Sequence, residues 1–320
     1  MKKIILLKYL FCLFIILSLS TNNFSQENSL EFLKIPVGAK AIALGGAYTS
    51  VVDDAYSTYW NPAGLCKSFE KQISFTYTSW WESIYYNYFA YSHNITKNSM
   101  LGFSIGYLSF GTIEKSGIDF SNPIESPIYT GNYSPFDLVL GVSFANKLEK
   151  FLIGETIKFI YSKIDEEAGY TYALDMGIIY NLSKKESFGF TIKNLGPAIN
   201  YIKKYQELPI EFRLGVSHRT FDEKLLISLD FNKQYNKNII PSIGIEYRSI
   251  KLSTVKISPL IGYKVYDNTI KNLSGLSMGV EIKKSNLEVI YGTSIKEELG
   301  FIHSITLTIR NLKFSSKEKK

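Results

Sequence analysis

The sequence is poor in the residues that build metal clusters, disulfide frameworks and most histidine-based active sites. Its 320 residues include 3 His, 4 Met and 2 Cys, against 23 Tyr, 21 Phe and 22 Gly. Two cysteines allow at most one disulfide, which excludes a cysteine-stapled scaffold. With 45% hydrophobic residues the chain is also too apolar to be disordered. The abundance of Tyr, Phe and Gly favours strands and tight turns.

The N-terminus carries the pattern of a secretory signal peptide. Lys2 and Lys3 form a basic start, residues 4–20 are apolar apart from Lys8, and a polar stretch follows. We therefore predict a cleaved signal peptide over residues 1–25. An uncleaved anchor helix is the alternative, although about 17 apolar residues interrupted by a lysine fall short of the ~20 that a spanning helix needs.

Basic residues outnumber acidic ones by seven, but they are scattered along the chain. A nucleic-acid-binding surface needs them clustered on one face, so we expect no nucleic-acid partner. The one charge run, residues 317–320, lies in a segment that we predict to be a solvated tail, residues 315–320.

From residue 69 onward the sequence alternates between apolar and polar residues with period two, which is typical of strands. No helical periodicity of any length interrupts the pattern. The predicted strands are fourteen: 70–79, 84–93, 99–110, 134–146, 151–163, 170–181, 187–194, 210–218, 223–231, 241–248, 255–265, 275–283, 286–293 and 301–312. Their lengths suit tilted strands that cross a bilayer, and their number is even.

The two faces of these strands differ in a way that separates a membrane barrel from a soluble β-sandwich. One face is bulky and apolar, whereas the other combines glycine, serine and threonine with charges. In a barrel the apolar face meets lipid and the small, polar face lines the lumen. The charged side chains expected to face the lumen are Lys158, Asp175, Lys193, Glu211, Arg213, Asp230, Glu246 and Arg248. They either select solutes or pair with one another and fill the lumen.

The connections give an independent indication. Links after even-numbered strands are short, and the long links, such as 111–133 and 195–209, follow odd-numbered strands. An outer-membrane barrel shows this asymmetry because its periplasmic turns are short and its outer loops are long. A β-sandwich is not expected to show it. We therefore predict an all-β fold, a 14-stranded antiparallel transmembrane β-barrel over residues 69–314. Aromatic residues near the first hairpin are expected at the membrane interface: Trp80, Trp81, Tyr85, Tyr86 and Tyr88.

The segment before the barrel, residues 26–68, does not alternate. It is rich in small residues, and Asn61-Pro62 is a natural N-cap and first position for a short helical turn. We predict that it packs in the lumen as a hatch. Its motif residues are Gly45, Gly46, Asp53, Asp54, Asn61, Pro62, Ala63 and Gly64. Asp53 and Asp54 could bind a cation, but acidic groups in an exposed turn or hydrogen-bonded within the hatch are the simpler interpretation.

At these residues the sequence resembles a known family. The run AKAIALGGAYTSVVDDAYSTYWNPAGL, residues 39–65, resembles the N-terminal signature of FadL-like outer-membrane barrels, in particular the PorV/PorQ-type branch. Residues 192–201 (IKNLGPAINY) and 208–218 (LPIEFRLGVSH) are similar to mid-barrel elements of that branch. The resemblance implies a fourteen-stranded barrel with an N-terminal hatch in the outer membrane of a Gram-negative-type bacterium.

Two functions follow from the resemblance, and the residues leave both open. The PorV/PorQ-type branch implies an accessory component of type IX-like secretion, whose partners are secretion-system subunits or secreted cargo. The wider FadL-like family implies transport of small hydrophobic molecules such as fatty acids. Besides these partners we expect only outer-membrane lipid. His93, His218 and His303 lie far apart with no catalytic or ligand spacing around them, so we expect no enzyme activity, metal or cofactor.

Overall fold

The computed structural model describes ten ranges of the chain. The predicted signal peptide and the predicted charged tail, as well as residues 26–29 of the predicted hatch, lie outside the described residues. The described ranges are 30–68, 71–81, 83–119, 126–201, 204–235, 237–248, 250–252, 254–265, 273–296 and 300–311.

The N-terminal segment, Leu30–Ser68, contains short helices joined by turns. These are a 3-10 helix Glu31–Lys34, α1 Ala39–Ala43, α2 Ser57–Trp60, a 3-10 helix Pro62–Gly64 and α3 Leu65–Ser68. No helix in the described ranges is long and apolar enough to cross a membrane.

Strands make up most of the remaining chain. They are β1 Gln72–Trp81, β2 Ile84–Asn94, β3 Ser99–Ser109, β4 Ile113–Asp119, β5 Ser126–Tyr133, β6 Phe136–Leu148, β7 Phe151–Ile164, β8 Glu167–Asn181, β9 Glu186–Leu195, β10 Ile199–Tyr201, β11 Lys204–Gln206, β12 Glu211–Thr220, β13 Leu225–Gln234, β14 Ile239–Tyr247, β15 Ile250–Leu252, β16 Val255–Lys264, β17 Leu276–Lys284, β18 Leu287–Lys296 and β19 Gly300–Arg310.

Fourteen of the described strands close into one antiparallel barrel. Its order is β1-β2-β3-β6-β7-β8-β9-β12-β13-β14-β16-β17-β18-β19, and β19 pairs back onto β1. The predicted fold class is confirmed, and each predicted strand overlaps one barrel strand, with ends that differ by three residues or fewer. Closure gives each of these fourteen strands a neighbour on both sides, which is the condition for a sheet to exist in lipid.

The links hold more structure than the sequence pattern indicates. The link 111–133 contains the hairpin β4–β5, the link 195–209 contains the hairpin β10–β11, and β15 pairs with the start of β16. Hairpin pairing satisfies backbone groups that a long open loop would leave to water. We call the end of the barrel with the two hairpins the loop-rich rim, and the opposite end the short-turn rim.

The wall has its large apolar side chains outside. Along neighbouring strands β3 and β6, Phe103, Ile105 and Val142 are 41%, 45% and 49% exposed, whereas Ser104 and Ser143 between them are buried. A soluble sandwich would bury the large residues and expose the small ones. The outward apolar face therefore meets lipid, and the buried polar face encloses the lumen.

Candidate functional site

The N-terminal segment lies against the inward face of the wall, and glycines make room for it. A Cβ added to Gly262 would lie 2.1 Å from the carbonyl carbon of Leu44, and one added to Gly177 would lie 2.0 Å from Oδ1 of Asn61. Only glycine permits so close an approach between the N-terminal segment and the wall strands. Other wall glycines whose Cβ would meet the segment are Gly102, Gly154, Gly189, Gly215, Gly244, Gly279 and Gly292.

The predicted helical turn at Asn61-Pro62 is confirmed. Asn61 precedes the 3-10 helix Pro62–Gly64, and its Oδ1 accepts a hydrogen bond from the backbone N–H of Ala63 at 3.2 Å. Its Nδ2 donates to the carbonyl of Thr49 at 3.1 Å, which joins the turn to the preceding part of the segment. Asn61 and Ala63 are both fully buried. The motif thus serves local folding and packing.

Gly45 and Gly46 mark the bend after α1. Both have positive φ, 65° and 80°, and Gly45 packs on the backbone of Tyr263 in β16. The carbonyl of Gly46 accepts a hydrogen bond from Arg213 Nη2 at 2.6 Å. The two glycines therefore turn the segment at a point where it touches two different strands.

The eight charged residues predicted for the lumen all lie on strands or at strand ends, and seven are buried. Arg248 keeps 27% of its side chain exposed. They pair with one another: Lys158 with Asp175 at 2.6 Å, Glu211 with Arg213 at 2.9 Å and with Lys193 at 3.6 Å, Arg213 with Asp230 at 3.3 Å, and Glu246 with Arg248 at 2.8 Å. Their role in selecting solutes stays a prediction.

Several of these residues also contact the N-terminal segment, among them Asp230 and Arg213. Asp230 Oδ2 accepts hydrogen bonds from the backbone N–H groups of Tyr48 and Thr49 at 3.2 and 3.0 Å. The Arg213 guanidinium lies 4.7 Å from the ring centre of Trp60, a cation–π contact. The charges therefore position the segment as well as fill the lumen.

Lys40 joins the segment to the wall through two ion pairs, and sequence reasoning missed it. Its Nζ lies 2.8 Å from Glu281 Oε2 and 3.2 Å from Glu246 Oε1, and all three side chains are buried. Burial opposes the ammonium, but the two carboxylates outweigh it and raise the pKa of Lys40. The available signal was a lone lysine inside the small apolar helix α1.

Further ion pairs continue from this point along the wall and were also missed. Lys283 lies 2.8 Å from Glu281 and 2.9 Å from Glu288, and Arg310 lies 2.8 Å from Glu288. Charges on β14, β17, β18 and β19 thus form one chain of contacts.

Asp53 and Asp54 lie within the segment. Asp54 is buried and accepts hydrogen bonds from the Tyr48 hydroxyl at 2.8 Å and the Tyr56 N–H at 2.9 Å. Burial and the neighbouring charge of Asp53 raise the pKa of Asp54 to about 6. Burial alone would raise the pKa of Asp53, but Lys40 and surrounding arginines lower it. In the described part of the chain no three His, Cys, Asp or Glu side chains group as metal ligands would.

The aromatic residues of the first hairpin divide between the two faces. Trp81 is 48% exposed on the outside, whereas Tyr86 and Tyr88 are buried. The interface position predicted for these two tyrosines is wrong: the period of β2 turns them inward, and Tyr88 packs on Tyr59 with ring centres 6.1 Å apart.

Two cavities open beside the start of the segment at the loop-rich rim. The larger, of 660 Å³, is mainly apolar and includes Leu30, Phe32, Leu108 and Phe110. The smaller, of 360 Å³, is rich in lysine. Glu31, Lys34 and Trp80 line both.

Comparison with solved structures identifies the fold. The toluene transporter TodX of Pseudomonas putida shares 12% identity, with a TM-score of 0.58 over 89% of this chain and 99% of that chain. A FadL homologue of Pseudomonas aeruginosa shares 8% identity, with a TM-score of 0.55 over 86% of this chain and 98% of that chain. No match was found among curated proteins. Residues 20–243 match the family of the type IX secretion system protein PorV, and the chain therefore belongs to this outer-membrane family.

Proposed function

We propose that this chain is a non-enzymatic subunit of a type IX secretion apparatus and that its loop-rich rim docks secreted cargo or another subunit outside the cell. Family membership supports the secretion role. The observation that favours docking over passage is the close contact between segment and wall, in which a Cβ on Gly262 would clash with Leu44 and a Cβ on Gly177 would clash with Asn61. Residues 30–68 then serve as a hatch that keeps the barrel shut.

The hairpin β4–β5 is the best candidate for the docking surface. It forms a sheet separate from the barrel, and Ile128 and Tyr129 are 42% and 65% exposed. An ion pair between Lys115 and Asp165 joins the hairpin to the turn between β7 and β8. An apolar surface presented in a fixed position beyond the membrane is typical of an interaction site.

Deletion and substitution in the hairpin test the docking role. We expect removal of residues 115–130, or the double substitution I128S/Y129S, to abolish co-purification of secretion-system partners while the heat-shifted band of a folded barrel persists. The control is F221S, which removes an aromatic residue that is at least as exposed from a turn at the short-turn rim. Undiminished partner capture by both hairpin variants would refute the proposal.

The apolar cavity favours a second candidate, the binding of a small hydrophobic molecule. Its 660 Å³ is in the range of small-molecule sites, and its walls include Leu108 and Phe110. We expect native mass spectrometry of the detergent-extracted protein to show a bound lipid-like mass that F110E loses. An empty cavity under several extraction conditions would contradict this candidate and leave the docking role untouched.

A further inference from the structure

Exposed lysines are distributed around the short-turn rim. The links that join the barrel strands at this rim are 95–98, 149–150, 182–185, 221–224, 248–254 and 285–286. Each link contains an exposed lysine or has one on the strand beside it. The exposed lysines are Lys97, Lys150, Lys184, Lys185, Lys224, Lys251, Lys256 and Lys284. We call these eight residues the lysine ring.

The lysine ring carries a surplus of positive charge. Within the described ranges none of its eight members forms an ion pair. The exposed or half-exposed carboxylates at this rim are Glu186, Asp222 and Glu223. Lys147 and Glu149 add one charge of each sign. The described part of the rim therefore has a surplus of five positive charges, eight minus three, at neutral pH.

This surplus is separate from the charges in the lumen. Arg248 and Lys283 also lie near the short-turn rim, but their side chains pair with the lumen carboxylates Glu246 and Glu281. The eight ring lysines instead extend from turns and strand ends into the surroundings of the barrel. Partners for the lysine ring must therefore come from outside the chain.

The charge changes sign between the two ends of β7. Lys150 precedes this strand at the short-turn rim, whereas Asp165 and Glu166 follow it at the loop-rich rim, in a turn that contains no lysine. Lys115 of the nearby hairpin pairs with Asp165. The two rims of the barrel thus meet their surroundings with different charge.

Large apolar side chains are exposed beside the ring lysines. Ile95 lies two positions before Lys97, and Leu252 directly follows Lys251. At the other links the exposed apolar residues are Phe151, Leu182, Phe221 and Leu287, each within three positions of a ring lysine. A lysine and an apolar residue therefore occur together at all six links between the described strands.

This combination fits a lipid surface better than an acidic soluble protein. A phospholipid leaflet offers phosphate groups to the ammonium groups and acyl chains to the apolar side chains, at adjacent depths. An acidic protein surface would satisfy only the lysines and would leave the apolar residues in water. The short-turn rim of an outer-membrane barrel lies at the periplasmic surface of the membrane, where such headgroups are present.

We propose that the lysine ring binds the headgroups of anionic phospholipids in the periplasmic leaflet and thereby enriches these lipids around the barrel. The headgroup of phosphatidylglycerol has a net negative charge, whereas in phosphatidylcholine an ammonium group balances the phosphate. A rim with a positive surplus therefore discriminates between the two lipids. The inference is independent of the docking role, which belongs to the hairpin at the opposite rim.

Electron paramagnetic resonance of spin-labelled lipids tests the proposal. The full chain is reconstituted in phosphatidylcholine bilayers that contain a trace of spin-labelled phosphatidylglycerol or spin-labelled phosphatidylcholine. We expect the protein to immobilise the phosphatidylglycerol label with an association constant about fivefold higher, the factor that corresponds to ~1 kcal/mol for one lysine near one anionic headgroup. High salt should remove this preference, because it screens exposed charges.

Substitution of one lysine in each link completes the test. The glutamine variant combines K97Q, K150Q, K184Q, K224Q, K251Q and K284Q, and the arginine variant replaces the same six residues with arginine. All six are exposed, so both variants should keep the heat-shifted band of a folded barrel. We expect the glutamine variant to bind the two lipids equally and the arginine variant to retain the preference. The control K115Q removes a lysine from the loop-rich rim and should also retain it.

Three results would overturn the proposal. The first is equal association of the two lipids with the unsubstituted chain at low salt, which is the result expected if the lysine ring serves an acidic soluble protein. The second is a preference for phosphatidylglycerol that persists in the glutamine variant. The third is an equal loss of preference in the glutamine and arginine variants, because positive charge would then not be its cause.

Discussion

Two seams of the barrel are held closed in different ways. Between β1 and β19, eight pairs of described residues are in register, and inward hydroxyls meet across the seam. Between β14 and β16, five pairs of described residues are in register. The hydroxyl pairs of the first seam are Ser74–Thr308, Thr76–Thr306 and Thr78–Ser304, at 2.9, 2.6 and 3.0 Å.

The shorter seam is reinforced from inside. Lys40 contacts Glu246 on β14 and Glu281 on β17, so its ammonium group bridges across β16. Leu44 packs on Gly244 of β14 and Gly262 of β16, on both sides of the seam. The N-terminal segment thus supplies a buried ion pair and backbone packing at the seam with fewer paired residues, and hydrogen bonds to Thr76 and Thr306 at the longer seam. The N-terminal segment therefore stabilises the barrel wall.

The largest effect is expected from K40M. Removing one member of a buried ion pair costs about 3–5 kcal/mol, and since Arg248 and Lys283 still contact the two carboxylates, we expect about 3 kcal/mol. Hydrogen–deuterium exchange should rise in β14 and β16 far more than in β1 and β19. The control K34M breaks a pair with the exposed Glu31 and should change stability by less than about 1 kcal/mol. An equal rise in exchange at both seams would remove the distinction between them.

The G262A substitution tests the packing of the N-terminal segment against the shorter seam. The new methyl group would overlap the backbone of Leu44 and Gly45, and overpacking of this kind costs about 1–3 kcal/mol. We expect a lower guanidinium midpoint and faster exchange in α1 and β16. In the control G141A the methyl group meets chiefly the Ser104 hydroxyl, outside the segment, so α1 should keep its protection.

The buried carboxyl of Asp54 predicts a pH dependence. Because its folded pKa of about 6 lies above the unfolded value, the folded state holds the proton more tightly, and stability falls as pH rises from about 4 to about 6. The D54N variant does not lose stability in this way. Its free energy of unfolding, relative to that of the unsubstituted chain, should therefore rise by about 2 kcal/mol between these pH values. Guanidinium midpoints across the pH range measure the gain, and D222N in an exposed turn should show none.

The smallest effect is expected at the hydroxyl seam. T306V leaves the Ala39 N–H without its acceptor and removes a partner of Thr76, which should cost about 1 kcal/mol. Exchange should increase only near β1, β19 and α1. T308V removes a hydroxyl that pairs with Ser74 on the wall and should leave α1 unchanged. Loosening of β14 and β16 by T306V would show that the two seams are coupled.

The wall was largely predictable from the sequence, because period two and the sorting of glycine from bulky residues are local signals. The same signal assigns charges such as Asp175 to the inward face, and Asp175 is buried. It cannot say which charges meet: Lys40 and Glu281 are 241 positions apart, and only barrel closure brings them together. The hairpin β4–β5 was missed since its Gly, Pro and Asn content is equally typical of a loop.

The tyrosines of β2 show how composition can mislead where periodicity does not. Residue type alone predicts Tyr86 and Tyr88 at the membrane interface. Both tyrosines lie an even number of positions from Ala90 on β2, so they share its face of the strand. Ala90 is buried, and this face is the inward one. The period-two alternation along β2 therefore predicts their position better than the general preference of tyrosine for membrane interfaces does.

The contact between Ala39 and Thr306 has a consequence for biogenesis. The backbone N–H of Ala39 donates to the Thr306 hydroxyl at 2.9 Å, across 267 positions of sequence. Because wall glycines touch the segment's backbone directly, these contacts form only once residues 39–65 and strands distant in sequence are positioned together. Contacts of such high sequence separation carry a large loop-closure entropy, so they are expected to form slowly.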